Sequence, residues 1–503
     1  MSFQSLTPEV LAQLTAALPE SVLTGDQLSE DYAHDEMISA GFRMPDAVVR
    51  ARSTEEVSKA CEILYANNIP IIPRGAGTGL SGGCAPICGG VVIDLTRMNH
   101  ILRWDLDNGL VHIEAGVLLA DLAAACAERD MFYPPDPGQR FAAVGGNVAT
   151  NAGGMRAVKY GCTREYVRTM TVVLPDGRVV KLGGEPSKNS SGYSLMHLMV
   201  GSEGTLGIIT ELGLKVIPQP KFTVSLLGLF EDLAACIRCV PVVKRSGLDP
   251  QSLEFMPRSN VERAEKFTEK VVYPAKSEGT DVGAYLLTSF DCRREEEMEE
   301  VMEAAAEVML EGGALDVIVF DNANAMKAAW DMRRAVPEAI LETYEKVEEC
   351  DIVVPISYIA EIVEYAQSLA DEVGLDINTY GHAGDGNIHI KLCANGMEEQ
   401  EFRARSDKFL DLIYARGKGM NALISGEHGI GAVSVRRLED YVGSDVMQLM
   451  QGIKSVFDPK GLLNPGKASE TGYGRLGRLH QEDVRFRRQQ RHVRRPRRIE
   501  RSV

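Results

Sequence analysis

Apolar and polar positions along this chain fall into two textures. Up to about residue 220, apolar runs of four or five residues are separated by glycine-rich turns. The runs at 47–51, 69–73 and 91–95 read as strands. Between the first two, Ser53-Thr-Glu-Glu56 sets a capping hydroxyl three residues ahead of a glutamate, so a helix starts there and ends near residue 67. Residues 1–45 read as mainly helical. After Pro218-Gln-Pro220, apolar residues recur every three or four positions over longer stretches. This predicts helices over 293–311, 323–334, 359–373, 398–418 and 445–457, alternating with strands at 284–290 and 352–356. The last helix stops at Asp458-Pro-Lys-Gly461. The expected class is α+β, with a domain boundary near residue 220 and no internal repeat.

Composition narrows the function. The chain has 503 residues, enough for two or three domains, with ordinary globular usage. A net charge of −17 argues against a nucleic-acid surface. The charge is uneven: residues 475–503 hold eleven Arg and three acids, so 468–503 reads as a basic, disordered tail that could meet an acidic partner or a membrane surface. No run of about 20 apolar residues predicts a membrane span. The N-terminus lacks a basic segment followed by an apolar one, so the ten cysteines read as reduced thiols in the cytosol. Cys236-Ile-Arg-Cys239 has no second pair at metal spacing and lies on an apolar helix face, which reads as core and not as a cluster site.

Three glycine-rich segments carry candidate chemistry. Pro73-Arg-Gly-Ala-Gly-Thr-Gly-Leu-Ser-Gly-Gly83 lets backbone N–H groups approach a phosphate, with Thr78 and Ser81 adding hydroxyls. It leads into a strand, which removes the Rossmann reading, and has no Gly-Lys-Ser/Thr, which removes the Walker one. Gly145-Gly-Asn-Val-Ala-Thr-Asn-Ala-Gly-Gly154 and Gly201-Ser-Glu-Gly-Thr-Leu-Gly207 follow. Each alone is a set of tight turns. Together they suit a long ligand held by backbone, such as FAD.

Histidines give the sharpest local signal. Three of the nine fall in Tyr380-Gly-His382-Ala-Gly-Asp-Gly-Asn-Ile-His389 and Ser425-Gly-Glu427-His428-Gly-Ile-Gly431. Two His and one Glu suit a divalent ion with open positions, Zn or Mn, which substrate could fill. His428 beside them suits a general base.

From about Pro45 to Lys467 these motifs resemble the FAD-binding domain of vanillyl-alcohol-oxidase-type flavoproteins. They are more closely similar to the glycolate oxidase FAD-binding subunits and D-lactate dehydrogenases of that superfamily. The resemblance implies a two-subdomain FAD-binding domain (1–220), a substrate or cap domain with an antiparallel sheet and covering helices (221–425), and a segment returning to the flavin (426–467). It implies that Arg74, Gly75, Gly77, Thr78, Gly79, Ser81 and Gly82 hold the pyrophosphate. Pro135, Asp136, Gly145, Asn147, Thr150, Gly154, Gly204 and Ile209 would line the rest of the cofactor, with Asn464 near it. The first loop has no His, so the FAD is expected to be non-covalent; Cys84 and Cys162 are the alternative attachment points. His382, His389 and Glu427 would bind metal and His428 would be the base. Arg333 of Trp330-Asp-Met-Arg333 would grip the substrate carboxylate in two parallel hydrogen bonds.

The expected reaction is FAD-dependent, metal-assisted oxidation of D-lactate or glycolate. Relatives acting on D-2-hydroxyglutarate carry a Lys where this chain has Glu348-Glu-Cys-Asp351, and that acidic patch would repel a second carboxylate. D-2-hydroxyglutarate oxidation and an ether-lipid synthase are the alternatives, with a non-catalytic flavin subunit as a third. Electrons would pass to a quinone, a cytochrome, an electron-transfer flavoprotein or an iron–sulfur partner. The expected location is cytoplasmic, with peripheral association at the inner membrane face.

Overall fold

The computed structural model describes residues 3–37, 41–320 and 322–469. The basic stretch expected at 468–503 therefore lies, beyond Ser469, outside the described residues.

Two sheets build the first part of the chain. One has four strands in the order Val22–Leu23, Ala47–Arg50, Val91–Asp94, Ile71–Arg74, the last three parallel. The other is antiparallel, in the order Ile101–Asp105, Leu110–Glu114, Ile208–Lys215, Val167–Val173, Val179–Gly183. The helix Thr54–Ala66 is capped as expected, with the Ser53 hydroxyl accepting from the Glu56 amide at 3.3 Å. The largely helical N-terminus is not found. After Pro8–Ala17 the chain turns through short 3₁₀ segments, because Thr24, Ser29 and Asp35 give local side-chain bonds in place of helical ones.

A seven-stranded antiparallel sheet builds the second part. Its order is Asp316–Phe320, Phe222–Phe230, Ala284–Cys292, Ser252–Pro257, Asp376–His382, Asn387–Ala394, Lys346–Val353. Helices Leu233–Arg245, Glu296–Glu311, Ile359–Ser368 and Glu399–Lys418 share one apolar core with it. Arg258–Thr268 and Ala323–Thr343 share the other. The strand expected at 352–356 runs instead from Lys346 to Val353. Its charged residues hid it: in Lys-Val-Glu-Glu-Cys-Asp, Glu349 and Asp351 face a buried polar site, while Glu348 lies on the opposite face. Helix 323–343 also passes the expected end at 334, continuing through Pro337. Residues 462–464 return to the first part, where Asn464 N donates to Ile71 O at 2.7 Å and Leu463 joins that core.

Candidate active site

A cleft of about 1230 Å³, counting its open mouth, crosses the first part of the chain. The three glycine segments converge on it. Arg74, Gly75, Gly77, Thr78, Gly79 and Ser81 line it from the first, Gly145, Asn147 and Thr150 from the second, and Gly204 and Ile209 from the third. Gly204 has φ +67°, and an added Cβ would stand 2.5 Å from Pro73 Cγ, so only glycine lets the third segment pass under the first. The second segment is not a run of turns: Val144–Thr150 is a short helix.

Gly82, Pro135, Asp136, Gly154 and Asn464 stand behind the lining. Asn464 is fully buried and ties two segments together, its amide donating to Gly83 O at 2.9 Å and Glu203 O at 2.8 Å. Arg74 lines the cleft and also braces its wall. Its guanidinium donates to His34 O at 2.7 Å and to Cys84 Sγ at 3.1 Å, so it braces the loop. Asp35, which the sequence did not reveal, also faces the cleft. Burial pushes its carboxyl up to about 6, against the pull of nearby backbone amides and Lys467.

Glu427 and His428 close one end of the cleft. They belong to a cluster built mainly on one face of the seven-stranded sheet. Successive strands place Glu254 opposite His382, Tyr380 opposite His389, His389 opposite Asp351, and Lys391 opposite Glu349. The period-2 alternation of strands puts all of these on a single face. His382 and His389 lie on the two arms of the hairpin that Gly384–Gly386 turns. Glu427 Oε1 is 3.6 Å from His382 Nε2, 3.4 Å from His389 Nε2 and 3.5 Å from His428 Nε2, and the first two nitrogens are 3.4 Å apart.

These separations fit a metal. A tetrahedral ion with ligands at 2.0–2.1 Å has ligand–ligand edges of about 3.4 Å. Glu427 Oε2 is buried without a hydrogen-bond partner, so this carboxylate keeps acceptor capacity that the protein itself does not use. Behind it, His382 Nδ1 bonds Glu254 at 2.8 Å, an arrangement that turns Nε2 toward the shared centre.

Arg333 Nε and Nη2 both donate to Glu254 Oε2, at 3.0 and 2.7 Å. The acidic patch is corrected. Glu349 is ion-paired with Lys391, and Asp351 accepts hydrogen bonds from Ser425 Oγ and three backbone amides. Neither is a free charge available to repel a second carboxylate.

Titration follows from this burial. Desolvation alone would lower His428, but the Asp351, Glu349 and Glu427 carboxylates outweigh it and lift it to about 9. His382 is likewise pulled down by burial and held well above its usual value by Glu254 and Glu427. His389 is driven down to about 4 by burial and by the two neighbouring imidazoles. Burial would raise Glu427, yet it stays well below the usual range, because His382 and His428 face it. A cation among these donors would compete with the protons they carry.

Sequence reasoning missed Glu254, Glu203 and Lys391 and misread Glu349 and Asp351. One signal was available for Glu254. A lone carboxylate inside the apolar run Leu253-Glu-Phe-Met256 shares a strand face with Met256, and if that face is buried the carboxylate must have a partner.

The chain matches an FAD binding domain family over residues 45–183 and the C-terminal domain of FAD linked oxidases over 219–468. It is 52% identical to a D-lactate dehydrogenase of Anaerostipes hadrus over 92% of this chain and 98% of that one. It is 35% identical to the glycolate oxidase subunit GlcD of Bacillus subtilis (strain 168), over 84% of this chain and 89% of the other. A crystal structure of p-cresol methylhydroxylase with substrate bound has the same fold, with a TM-score of 0.76 at 18% identity, covering 92% of this chain and 98% of that one.

Proposed function

The chain belongs to the FAD-linked oxidase family, and on that premise we propose that it oxidises D-lactate, or a similarly short D-2-hydroxy acid such as glycolate, to the 2-keto acid. The observation that carries this reading is that Glu427 and His428 belong to both the cofactor cleft and the histidine cluster. FAD held in the cleft would supply the hydride acceptor for the substrate α-carbon. Its carboxylate neighbours lift His428 to about 9, so it must first give up its own proton, which a cation bound beside it would favour; the neutral imidazole then takes the hydroxyl proton as the hydride leaves and a C=O forms.

His382, His389 and Glu427 would hold a divalent ion, Zn or Mn, which would polarise the substrate hydroxyl and orient its carboxylate. Glu254 keeps His382 in register, and Arg333 neutralises Glu254. The FAD is held without a covalent bond: burial keeps the Cys84 thiol above its usual range and pushes Cys162 up to about 12, so neither is a ready thiolate. Residues 1–220 act as the cofactor domain, 221–425 as the substrate domain and 426–467 as the segment joining them.

Among the described residues no helix is long and apolar enough to cross a membrane. Electrons pass to a quinone, a cytochrome or a protein acceptor, such as an iron–sulfur subunit or an electron-transfer flavoprotein. A cytoplasmic chain associated peripherally with the membrane suits such acceptors.

D-2-hydroxyglutarate remains the second reading, because Lys391 cancels the Glu349 charge that would have opposed it. Stopped-flow mixing of the oxidised enzyme with D-lactate, L-lactate, glycolate and D-2-hydroxyglutarate tests the proposal. D-Lactate or glycolate should bleach the flavin fastest. Bleaching by D-2-hydroxyglutarate alone would overturn the substrate assignment.

A further inference from the structure

The segment Ser425–Val433, which carries Glu427 and His428, is a strap whose backbone amides from Gly426 on are all engaged. Gly426, Glu427 and His428 donate to Asp351 Oδ2 at 2.9, 2.9 and 3.0 Å. Gly429 donates to Ser425 Oγ at 2.9 Å. Ile430 and Gly431 donate to the two oxygens of Glu203, at 2.9 and 2.7 Å. Ala432 and Val433 donate to Ser81 O at 2.9 and 3.3 Å.

Seven of these eight successive N–H groups are thus divided between two regions, and that of Gly429 is held within the strap itself. Those before and at His428 are held by the strand Lys346–Val353 of the large sheet. Those from Ile430 on are held by the cofactor-binding part of the chain. An N–H run of this kind is an anion nest, and here it is filled by the protein's own carboxylates.

Glu203 has no need to be acidic for any bond other than these. It sits in the third glycine segment with φ +53°, a left-handed conformation that a non-glycine residue adopts only when its surroundings impose it. Its carbonyl is pinned by Asn464 Nδ2 at 2.8 Å, so the backbone that presents the carboxylate is fixed from behind. The fit on the strap side is equally tight. Gly431 has φ +50°, and a Cβ there would overlap the Ser81 carbonyl. Burial raises the Glu203 carboxyl, and the two amides oppose that rise, as expected of a carboxylate held by N–H donors.

We propose that Glu203 is a positioning residue that registers the Glu427–His428 strap on the cofactor cleft, so that a carboxylate of the flavin-binding domain sets where the proton acceptor stands. Asp351 fixes the same strap to the metal-binding sheet. The two carboxylates divide the work: Asp351 governs the ligand set and Glu203 governs its placement against the flavin. This inference rests on the base role proposed for His428.

The experiment uses the full-length flavin-loaded enzyme with Glu203→Gln and Glu203→Asp. Glutamine keeps the size but sets an N–H against one of the strap amides. Four quantities are read: flavin content by absorbance, Zn affinity by chelator competition, the rate of flavin reduction by D-lactate, and amide hydrogen exchange over 425–433. We expect Glu203→Gln to keep its flavin and its Zn affinity. Reduction should slow about 10- to 100-fold, the usual consequence of misplacing a reacting group by about 1 Å. KM for D-lactate should stay near the wild-type value while kcat falls, and Glu203→Asp should recover part of the rate. Exchange should quicken at Ile430 and Gly431 and stay slow at Gly426–His428.

A normal reduction rate in Glu203→Gln, or a rate that falls only in proportion to lost flavin, overturns the inference. If wild-type enzyme is bleached by none of the 2-hydroxy acids, the functional reading fails instead. The exchange pattern then decides the strap separately: uniform quickening, or none at Ile430 and Gly431, overturns it.

Discussion

The cofactor cleft and the histidine cluster meet at Glu427 and His428 but are made in opposite ways. The cleft is built largely from glycine, alanine and backbone, and its few charged groups, such as Arg74, brace the wall. It binds by leaving side chains out, so that N–H groups can reach a ligand. The cluster is built from side chains alone. Three imidazoles sit among the carboxylates Glu254, Glu349, Asp351 and Glu427, with Arg333 and Lys391 balancing the charge. Each buried charge there needs its own buried partner. The cleft should therefore tolerate changes in the cluster, and the reverse, except along the strap they share.

The largest effect that separates them is His428→Ala. Flavin reduction by D-lactate should fall about 10²- to 10⁴-fold while the protein stays yellow; a normal rate would remove His428 as the base. Next comes Glu254→Ala. Without its partner His382 can turn, and Zn affinity measured by chelator competition should drop about 10- to 100-fold with flavin content unchanged. Loss of flavin in that variant would show that the two regions are not independent.

Gly204→Ala attacks the other side. The left-handed backbone and the approach to Pro73 should weaken FAD binding by about 1–3 kcal/mol, read by fluorescence titration, with Zn affinity preserved.

The smallest effect is a pH dependence of the flavin-free protein. Asp35 is pushed up to about 6, so the folded state favours its neutral form. Its contribution to stability is fully present below about pH 4 and is lost as pH rises through 6. Asp35→Asn should melt a few degrees higher than wild type at pH 7 and equally at pH 4. An equal difference at both pH values would place the cause elsewhere.

Much of this arrangement is legible in the residues themselves. The cap at Ser53, the glycine segments and the two histidine motifs are local patterns in which residue type and spacing declare their use. Other features mislead for equally physical reasons. The first half of Lys346–Val353 reads as an acidic patch because Glu349 and Asp351 alternate toward a buried polar site, and Gly145-Gly146 reads as a turn although tertiary contacts hold it in a helix. Arg333 lies beside the site, and its pairing there with Glu254 is a contact that no local pattern shows.

The sequence by itself determined which atoms could do chemistry: a glycine-lined path for a dinucleotide, two imidazoles and a carboxylate for an ion, and one more imidazole beside them. Only the tertiary structure decided which groups support them. Glu254 meets His382 across 128 positions, Asp351 meets the strap across 74 to 77, and Glu203 meets it across 227 and 228. Those pairings arise from a strand order that does not follow the chain and from the docking of the strap between two regions. A buried carboxylate carries no mark in sequence of which distant donor will satisfy it.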